Sequence, residues 1–325
     1  MKKLLHLAAA VGVVTLGLGL AACGSSSSSS STTTTPTNNN TASNTSKTNV
    51  ACPSGTLTFG VEPYDNASVL VSAYQATSTA LGKALGCKVK LEVAQSYVAE
   101  ILAMKNGKLD MGEFGPAGYV FASQQAGAVP MVSYATTGGQ LSTYTAGIWV
   151  PKTSPITSLK LLAGHTLALS STGSTSGDWE PRYALIQAGV STKVKTEYAG
   201  GHPESLQALL HGKVAAAEVN SQTEASAEKS HTFDPAGYRE IWKSAPIPND
   251  PICASGTLSK AAVAKITSAL EGLSASDFTS GSTSLASELN FTPPTSGPVL
   301  IPVTQAAYAQ LFSLASALHL SASSL

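Results

Sequence analysis

A run of small, hydroxyl-bearing residues in the middle of the chain has the composition of an anion-binding turn. It extends from Ser170 to Gly177 and reads Ser-Ser-Thr-Gly-Ser-Thr-Ser-Gly. An apolar, strand-like stretch (166–169) precedes it and a helix-like stretch (178–187) follows it. Hydroxyl groups and unpaired backbone N–H groups at a helix N-terminus can bind a tetrahedral oxyanion without Lys or Arg. The run therefore predicts an anion site at a strand-to-helix junction.

The same run allows two other interpretations. The spacing of Gly173 and Gly177 fits a G-x-S-x-G nucleophile elbow, but the central residue is Thr175, not Ser. His202 and Asp234 also follow in the reverse of the usual acid-then-histidine order, which argues against an acyl-transfer enzyme. A solvated Ser-rich loop is the second alternative, although such a loop does not require an amphipathic helix directly after it.

The N-terminus has the three parts of a secretory signal. Lys2 and Lys3 precede an apolar run (4–20), which ends in Leu-Ala-Ala-Cys23. Small residues directly before a cysteine resemble the lipobox of bacterial lipoproteins, which implies a signal peptide over 1–22 and a diacylglycerol on Cys23. An uncleaved membrane anchor is the alternative, but three glycines interrupt the apolar run.

The segment after the signal has too few apolar residues to fold. Residues 23–49 are almost wholly Ser, Thr, Asn and Ala, which predicts a disordered, flexible tether. The folded part begins near Val50. The roughly 275 residues that remain are enough for a sizeable core in one large or two modest domains.

Charge and ligand spacing argue against several classes of partner. Without Lys2 and Lys3 the chain carries 17 basic and 19 acidic residues, and it has no basic block, so nucleic acid is not an expected partner. The sequence shows no Cys/His cluster at metal-ligand spacing, so neither a metal nor a cofactor is expected.

Three cysteines remain outside the reducing cytoplasm once Cys23 is lipidated. Cys52 precedes the first predicted strand and Cys87 precedes the second, so the two thiols meet if those strands are parallel neighbours. The sequence leaves this pairing open. Cys253 is expected to be a small buried residue, not a reactive thiol.

Alternating strand and helix patterns predict an α/β fold in two sets of elements. The first set contains strands over 57–61, 88–93 and 109–114 and helices over 66–85 and 96–105. The second set follows Pro151, with strands over 166–169, 194–198 and 214–219 and helices over 178–188 and 203–211. The two sets predict two lobes, and segments near 149–152 and 247–253 suit a two-strand hinge.

Several motifs occur in the order typical of one transport family. Ser174-Thr175-Ser176-Gly177 followed by Pro181-Arg182-Tyr183 is similar to the STSG-x-x-x-P-x-Y signature of PhnD-like phosphate, phosphite and phosphonate substrate-binding lipoproteins of ABC transporters. Across nearly all of 56–270, the other segments that resemble this family are Phe59-Gly60-Val61 with Pro63, Ala94 to Met104, Phe114-Gly115-Pro116 with Tyr119, Gly201-His202, Gly212 to Ala217, and Ile247 to Pro251.

This resemblance implies a type II periplasmic-binding-protein fold, with a hinge between two lobes and the ligand in the interlobe cleft. Lobe 1 would comprise 50–150 and 252–325, and lobe 2 would comprise 151–251. The chain would be a lipid-anchored, extracytoplasmic, monomeric binding protein at the cell membrane, not an enzyme, and would deliver its solute to an ABC permease and ATPase. A receptor for a sulfonate or a thiamine-pathway compound, and a sensor or adhesin lipoprotein, remain as alternatives.

The resemblance also implies which residues bind the oxyanion. Ser174, Thr175 and Ser176, together called the cradle below, match the central anion site of the family. Tyr97 would donate its hydroxyl, and His202 would donate from its ring. Weaker candidates are Phe114, Tyr119 and Asn220.

Asp250 matches an acidic position of the family in the Pro-Asn-Asp-Pro stretch. A carboxylate beside an anion requires a proton on the ligand, which phosphite, hydrogen phosphate and protonated phosphonates have and sulfate at neutral pH lacks. One departure concerns 219–222, which is neutral here where relatives that bind aminoalkyl phosphonates have an acidic residue. An ammonium group would therefore lack its countercharge, unless Glu218 or Glu224 supplies it.

Overall fold

The computed structural model describes residues 49–62, 67–288, 292–294 and 297–320. The predicted signal peptide, the lipidation site at Cys23 and all of the predicted tether except Asn49 lie outside these residues. Among the helices of the described residues, none is long and apolar enough to cross a membrane.

The described residues form fifteen strands and nine α-helices. The strands are β1 (Thr56–Val61), β2 (Lys88–Val93), β3 (Met111–Glu113), β4 (Val129–Tyr134), β5 (Thr143–Tyr144), β6 (Gly147–Pro151), β7 (Thr166–Leu169), β8 (Lys195–Tyr198), β9 (Ala216–Glu218), β10 (Tyr238–Lys243), β11 (Ile247–Pro248), β12 (Ile252–Ala254), β13 (Thr279–Ser280), β14 (Thr283–Ser284) and β15 (Leu300–Pro302). The helices are α1 (Ala67–Leu85), α2 (Tyr97–Lys105), α3 (Pro116–Ala126), α4 (Glu180–Gln187), α5 (His202–Leu210), α6 (Ser221–Lys229), α7 (Lys260–Glu271), α8 (Leu285–Glu288) and α9 (Ala309–Ala317).

Two mixed sheets organise these elements. One sheet has six strands in the order β15-β4-β12-β3-β1-β2, and the other has five in the order β10-β6-β9-β7-β8. In each sheet one strand has parallel neighbours on both sides, β1 in the first and β7 in the second. The predicted α/β fold class is confirmed.

A short ribbon links the two sheets. Strands β5 and β11 pair antiparallel, Tyr144 opposite Ile247, and belong to neither sheet. The chain passes through β5 from the first sheet to the second and returns through β11. All of β6 except Pro151 lies within the range predicted for lobe 1, yet the strand pairs in the second sheet with β9 and β10. We therefore propose that the lobe boundaries lie at the β5–β11 ribbon and not at residue 150.

Apolar side chains cover both faces of each sheet. On the first sheet, Phe59 and Tyr74 belong to one cluster, and Val120 from α3 belongs to another that also contains α9 residues. On the second sheet, Leu167 and Ala168 are successive residues of β7 but pack into different clusters. Because parallel strands are buried on both faces, β7 has a continuous apolar sequence and not an alternating one.

Two helix starts near the site follow from local sequence. Ser96 caps α2 by accepting the Ala99 N–H (3.1 Å) and so fixes Tyr97 at the first position of the helix. Helix α3 begins with Pro116 after Gly115, and a first-position proline leaves no donor unsatisfied there.

The cysteines are placed by the β1–β2 pair. These strands run parallel with Thr56 opposite Lys88, and Cys52 forms a disulfide with Cys87, with their Cα atoms 6.5 Å apart. Cys253 is free and fully buried, and its burial raises the pKa of the thiol well above its ordinary value. This environment matches the expected role of a small packing residue.

Replacing both bridged cysteines by serine (C52S/C87S) is expected to lower the free energy of unfolding by about 3–4 kcal/mol, because the bridge closes a loop with a sequence separation of 35 in the unfolded chain. Urea denaturation of the mature protein measures this loss. The parent and a Cys253→Ala control should lose stability on reduction, whereas the double variant should not respond. Equal stability of the parent and the double variant without reductant would contradict the prediction.

Candidate functional site

The cradle lies where β7 ends and a helix begins. The sequence predicts the helix from residue 178, but helical structure starts earlier, with a π-helical turn (Thr175–Trp179) that continues into α4. The earlier start occurs because Ser174 caps the turn and its Oγ accepts the Gly177 N–H at 3.1 Å. All three cradle residues are buried. Their hydroxyl and N–H groups therefore sit at a desolvated helix N-terminus.

Two glycines give the turn its shape. Gly173 has φ +90°, a conformation that side chains with a Cβ rarely adopt. A Cβ at Gly177 would lie 2.6 Å from Ser170 Cβ and 2.9 Å from His202 Cε1. The close approach of three segments at the cradle therefore requires glycine at position 177.

The buried side chain of Asp178 stabilises the turn through hydrogen bonds. Asp178 Oδ2 accepts the Gly173 N–H at 2.9 Å, and Oδ1 accepts the Tyr198 hydroxyl at 2.7 Å. Arg182 Nη1 lies 3.3 Å from the same Oδ1. The sequence analysis did not identify Asp178, although an acidic residue in the first helical turn directly after the cradle could have indicated it.

The cradle faces a small cavity of about 10 Å³. It is lined by residues from both sheets and their loops: Tyr97, Gly115, Tyr144, Ser174, Thr175, Ser176, His202, Asn220, Gln222 and Asp250. The six residues predicted to bind the ligand all line it, and so does Asn220, one of the weaker candidates. Tyr144 and Gln222 were not predicted as ligand residues. Both contact residues far away in the chain: Tyr144 hydrogen-bonds with Thr175 and Ser176, and Gln222 with Asn249.

Two of the weaker candidates lie elsewhere. Phe114 is buried beside Gly112, where a Cβ would lie 2.9 Å from the Phe114 ring. Tyr119 packs edge-to-face on Tyr308, with ring centroids 5.3 Å apart. Both are core residues and neither lines the cavity. The Phe-Gly-Pro motif contributes Gly115 instead, because the glycine leaves room for the Tyr97 ring.

A second helix N-terminus reaches the cradle. The Ala117 N–H, in the first turn of α3, donates to Thr175 Oγ1 at 2.9 Å. The cradle therefore lies where two helix N-termini approach each other, one from each sheet. Both dipoles place their positive ends there, and that arrangement favours an anion.

A hydrogen-bonded chain runs from the cradle into the second sheet. His202, the first residue of α5, places Nε2 3.2 Å from Ser174 Oγ and Nδ1 2.9 Å from Glu218 Oε2. Glu218 ends β9 and is fully buried, as is nearly all of His202. From the sequence, Glu218 was expected only as a possible countercharge for the ammonium group of a ligand. A lone acidic residue in the predicted strand 214–219 was the available signal.

The order serine, histidine, acid is also that of a hydrolase triad. In this chain Ser174 Oγ already accepts the Gly177 N–H as a helix cap, and it precedes the central position of the Gly173–Gly177 spacing. The arrangement orients hydroxyl and imidazole groups toward the cavity, which suits anion binding.

Two carboxyl groups, those of Asp250 and Glu62, lie near the cradle. Asp250 lines the cavity, and burial, followed by the charges of Glu113 and Glu62, raises the pKa of Asp250 well above its ordinary value. Burial raises the pKa of Glu62 to about 8, although the His202 charge and a hydrogen bond with Tyr97 lower it. Sequence analysis did not single out Glu62. Burial therefore favours the neutral form of both carboxyl groups.

Two tyrosines complete the lining. Tyr97 forms a side-chain hydrogen bond with Ser174, and Tyr144 forms them with Thr175 and Ser176. Burial raises the pKa of both hydroxyls well above the ordinary value, so both keep their protons. Of the lining residues that the structure describes, none is Lys or Arg. Within those same ranges no group of His, Cys, Asp or Glu side chains is arranged to hold a metal ion.

Comparisons with known proteins agree on one group. Residues 59–295 match the model of the family described as "ABC transporter, phosphonate, periplasmic substrate-binding protein". The chain is 27% identical over 223 residues to the phosphate-import protein PhnD of Mycolicibacterium smegmatis, covering 65% of this chain and 70% of that protein. It is 27% identical over 173 residues to a probable phosphite-binding protein PhnD1 of Prochlorococcus marinus, covering 51% of this chain and 58% of that one.

A solved structure shares the fold. The Prochlorococcus marinus PhnD1 structure in complex with methylphosphonate superposes with a TM-score of 0.69 at 20% identity, covering 82% of this chain and 98% of that one. The predicted two-lobed type II periplasmic-binding-protein architecture is therefore confirmed.

Substitution of Gly177 is expected to disrupt the site without unfolding the chain. In Gly177→Ala the added methyl group displaces Ser170 and His202, so anion affinity measured by calorimetry should fall at least ~10-fold, the loss of about one hydrogen bond. Gly138→Ala is the matched control, because a Cβ at that exposed position meets nothing within 4 Å. Unchanged affinity in Gly177→Ala would show that the close packing is not needed.

The raised pKa of Glu62 makes stability depend on pH. The folded protein holds a proton that the unfolded chain releases above its ordinary pKa of 4.5, so the contribution of the neutral carboxyl is complete below that pH and lost as pH rises through about 8. Thermal melting between pH 5 and pH 8 should show a smaller decline for Glu62→Gln than for the parent. Glu197→Gln, at an exposed carboxylate, should decline as the parent does. Parallel curves for all three proteins would refute the assignment.

Proposed function

The chain belongs to the family of periplasmic substrate-binding proteins of phosphonate ABC transporters, and from this membership we propose that it binds a small phosphorus oxyanion: phosphite, phosphate or a simple phosphonate. Membership implies an extracytoplasmic binding component that works with an ABC permease and ATPase. The identity of the anion is the proposal. It rests on the cradle and on the groups around it.

The observation that carries the proposal is the meeting of two helix N-termini at the cradle. Thr175 Oγ1 accepts the Ala117 N–H, so its own hydroxyl hydrogen is available to a ligand. Hydrogen bonds to a charged acceptor contribute roughly 1.5–3 kcal/mol each, and several of them in a desolvated cavity support tight binding without Lys or Arg.

The size of the cavity favours a small solute. Its volume of about 10 Å³ is far below the roughly 300–1,000 Å³ of pockets for drug-sized ligands. An oxyanion with few heavy atoms needs the least additional space. The relatives named above are described as phosphate-import and phosphite-binding proteins, which supports a phosphorus oxyanion over other small anions.

Asp250 changes the expected basis of selectivity. The sequence predicts that the ligand must carry a proton to face a carboxylate at this position. Burial raises the pKa of Asp250 well above its ordinary value and so favours the neutral carboxyl, which can donate to an anion oxygen. A fully deprotonated anion is therefore compatible with this side chain, and selectivity against sulfate must come from the whole set of donors.

We also propose that the mature chain is a monomer held at the cell membrane by a lipid on Cys23. The lipobox-like sequence before Cys23 supports the anchor, and the Ser/Thr/Asn-rich composition of 24–49 supports a tether between it and the folded part. Metabolic labelling with a fatty acid tests the anchor, since Cys23→Ser should not be labelled.

A ligand panel tests the proposed function. Phosphite, phosphate or methylphosphonate at 100 times its Kd should stabilise the mature protein by about 2.7 kcal/mol in thermal melting, whereas sulfate and methanesulfonate should do so less at equal concentration.

The double variant T175A/S176A should bind ~100-fold or more weakly by calorimetry, because two charge-assisted hydrogen bonds are lost.

The control for this variant is S191A/T192A, an exposed pair of the same composition in the same sheet's connections. It should bind as the parent does. Stabilisation by methanesulfonate and not by any phosphorus oxyanion would replace the proposal with a sulfonate receptor. No loss of affinity in T175A/S176A would show that the anion binds outside the cradle.

A further inference from the structure

Glu218 is a buried carboxyl with one hydrogen-bond partner. Its Oε2 lies 2.9 Å from His202 Nδ1, and within the described part of the chain its Oε1 has no hydrogen-bond partner. The side chain is completely buried at the end of β9, behind the imidazole as seen from the cavity, which His202 lines and Glu218 does not. A carboxyl in such a place is costly to keep unless its partner carries a charge.

We propose that Glu218 is a positioning residue that holds His202 with Nε2 toward the cradle and stabilises the imidazolium form, so that His202 supplies the positive charge for the anion. This inference rests on the proposed function and deepens it. In this proposal the positive charge beside the anion belongs to the hydrogen-bonded pair of His202 and Glu218 and not to the histidine alone.

The tautomer of the ring explains the need for a partner. A neutral imidazole has one donor and one acceptor nitrogen. When Nδ1–H donates to Glu218, a neutral His202 presents the lone pair of Nε2 to the cavity, where it can accept the Ser174 hydroxyl at 3.2 Å. That lone pair would repel an anion. Protonation turns Nε2 into a donor, so an anion and a proton are expected to bind together.

Other titratable groups face His202 and must be separated from this effect. Glu62 after β1, Tyr97 on α2 and Glu204 on α5 line the same wide pocket in front of the ring. Asp250, from the segment between β11 and β12, and Tyr144, from β5, face it across the smaller cavity. Glu218 differs from these groups because it contacts Nδ1, the nitrogen directed away from the cradle.

Glu218→Gln tests the proposal because the amide keeps the shape and can accept from Nδ1 but carries no charge. Titration calorimetry with phosphate, in buffers of different ionisation enthalpy, measures affinity and proton uptake together. Relative to the parent, Glu218→Gln should bind at least 10-fold more weakly and take up fewer protons. Comparison at the same pH cancels the titration of phosphate itself.

Glu228→Gln is the matched control, since Glu228 is exposed on α6 and lines neither pocket. It should bind phosphate and take up protons as the parent does. Glu218→Asp, which retains the charge, should recover part of the affinity if the fold tolerates it. Equal affinity and equal proton uptake in Glu218→Gln and the parent would overturn the proposal.

A readout without ligand separates this inference from the proposed function. The ¹⁵N chemical shifts of the His202 ring report its tautomer and charge. In the parent they should show a protonated Nδ1 at neutral pH. In Glu218→Gln the titration of the ring should be shifted to lower pH. Identical ring titrations would refute the role of Glu218 even if phosphate binds. If the ring titrations differ but no phosphorus oxyanion binds, the proposed ligand is wrong and the role of Glu218 stands.

Discussion

An anion cavity that has the carboxyl group of Asp250 and neither Lys nor Arg among its described lining residues must obtain its charge balance from protons. Glu62 lies in the wider pocket beside it, the charge of Glu113 raises the pKa of Asp250, and the charges of Glu62, Glu113 and Asp250 raise the pKa of Glu100. Burial raises the pKa of all four, that of Glu113 to about 7 despite hydrogen bonds from Tyr74 and Tyr134. Neutral carboxyls are hydrogen-bond donors, so the same burial that excludes water converts groups that would repel an anion into groups that can bind it.

The fold creates this environment by bringing the ends of two sheets together. The cradle belongs to the second sheet and the N-terminus of α3 to the first, and the Ala117–Thr175 hydrogen bond joins them. Each sheet and its loops contribute only part of the cavity lining. Because low polarity strengthens every hydrogen bond inside it, the affinity of the site depends on the contact between the sheets as much as on the cradle.

Sequence patterns predicted the cradle and missed the groups that control its charge. Glycine, serine and threonine at a strand-to-helix junction have local consequences, so Ser174 to Ser176 and the two helices beside them could be anticipated. Glu62, Tyr144 and Glu218 act through partners 35, 31 and 16 or more positions away in the chain, and no local pattern connects them. Phe114 and Tyr119 share a motif with Gly115, but their side chains pack into the core.

The two sets of carboxyls are placed differently, and the difference has a physical meaning. Asp250 lines the cavity and Glu62 lines the wider pocket beside it, and burial favours the neutral form of both. Glu218 is separated from the anion by the imidazole ring, which can carry the opposite charge. A negative charge at Glu218 therefore strengthens the donor next to the ligand, whereas the same charge at Asp250 would oppose binding. The position of each carboxyl relative to the ring decides whether its proton should be kept or given up.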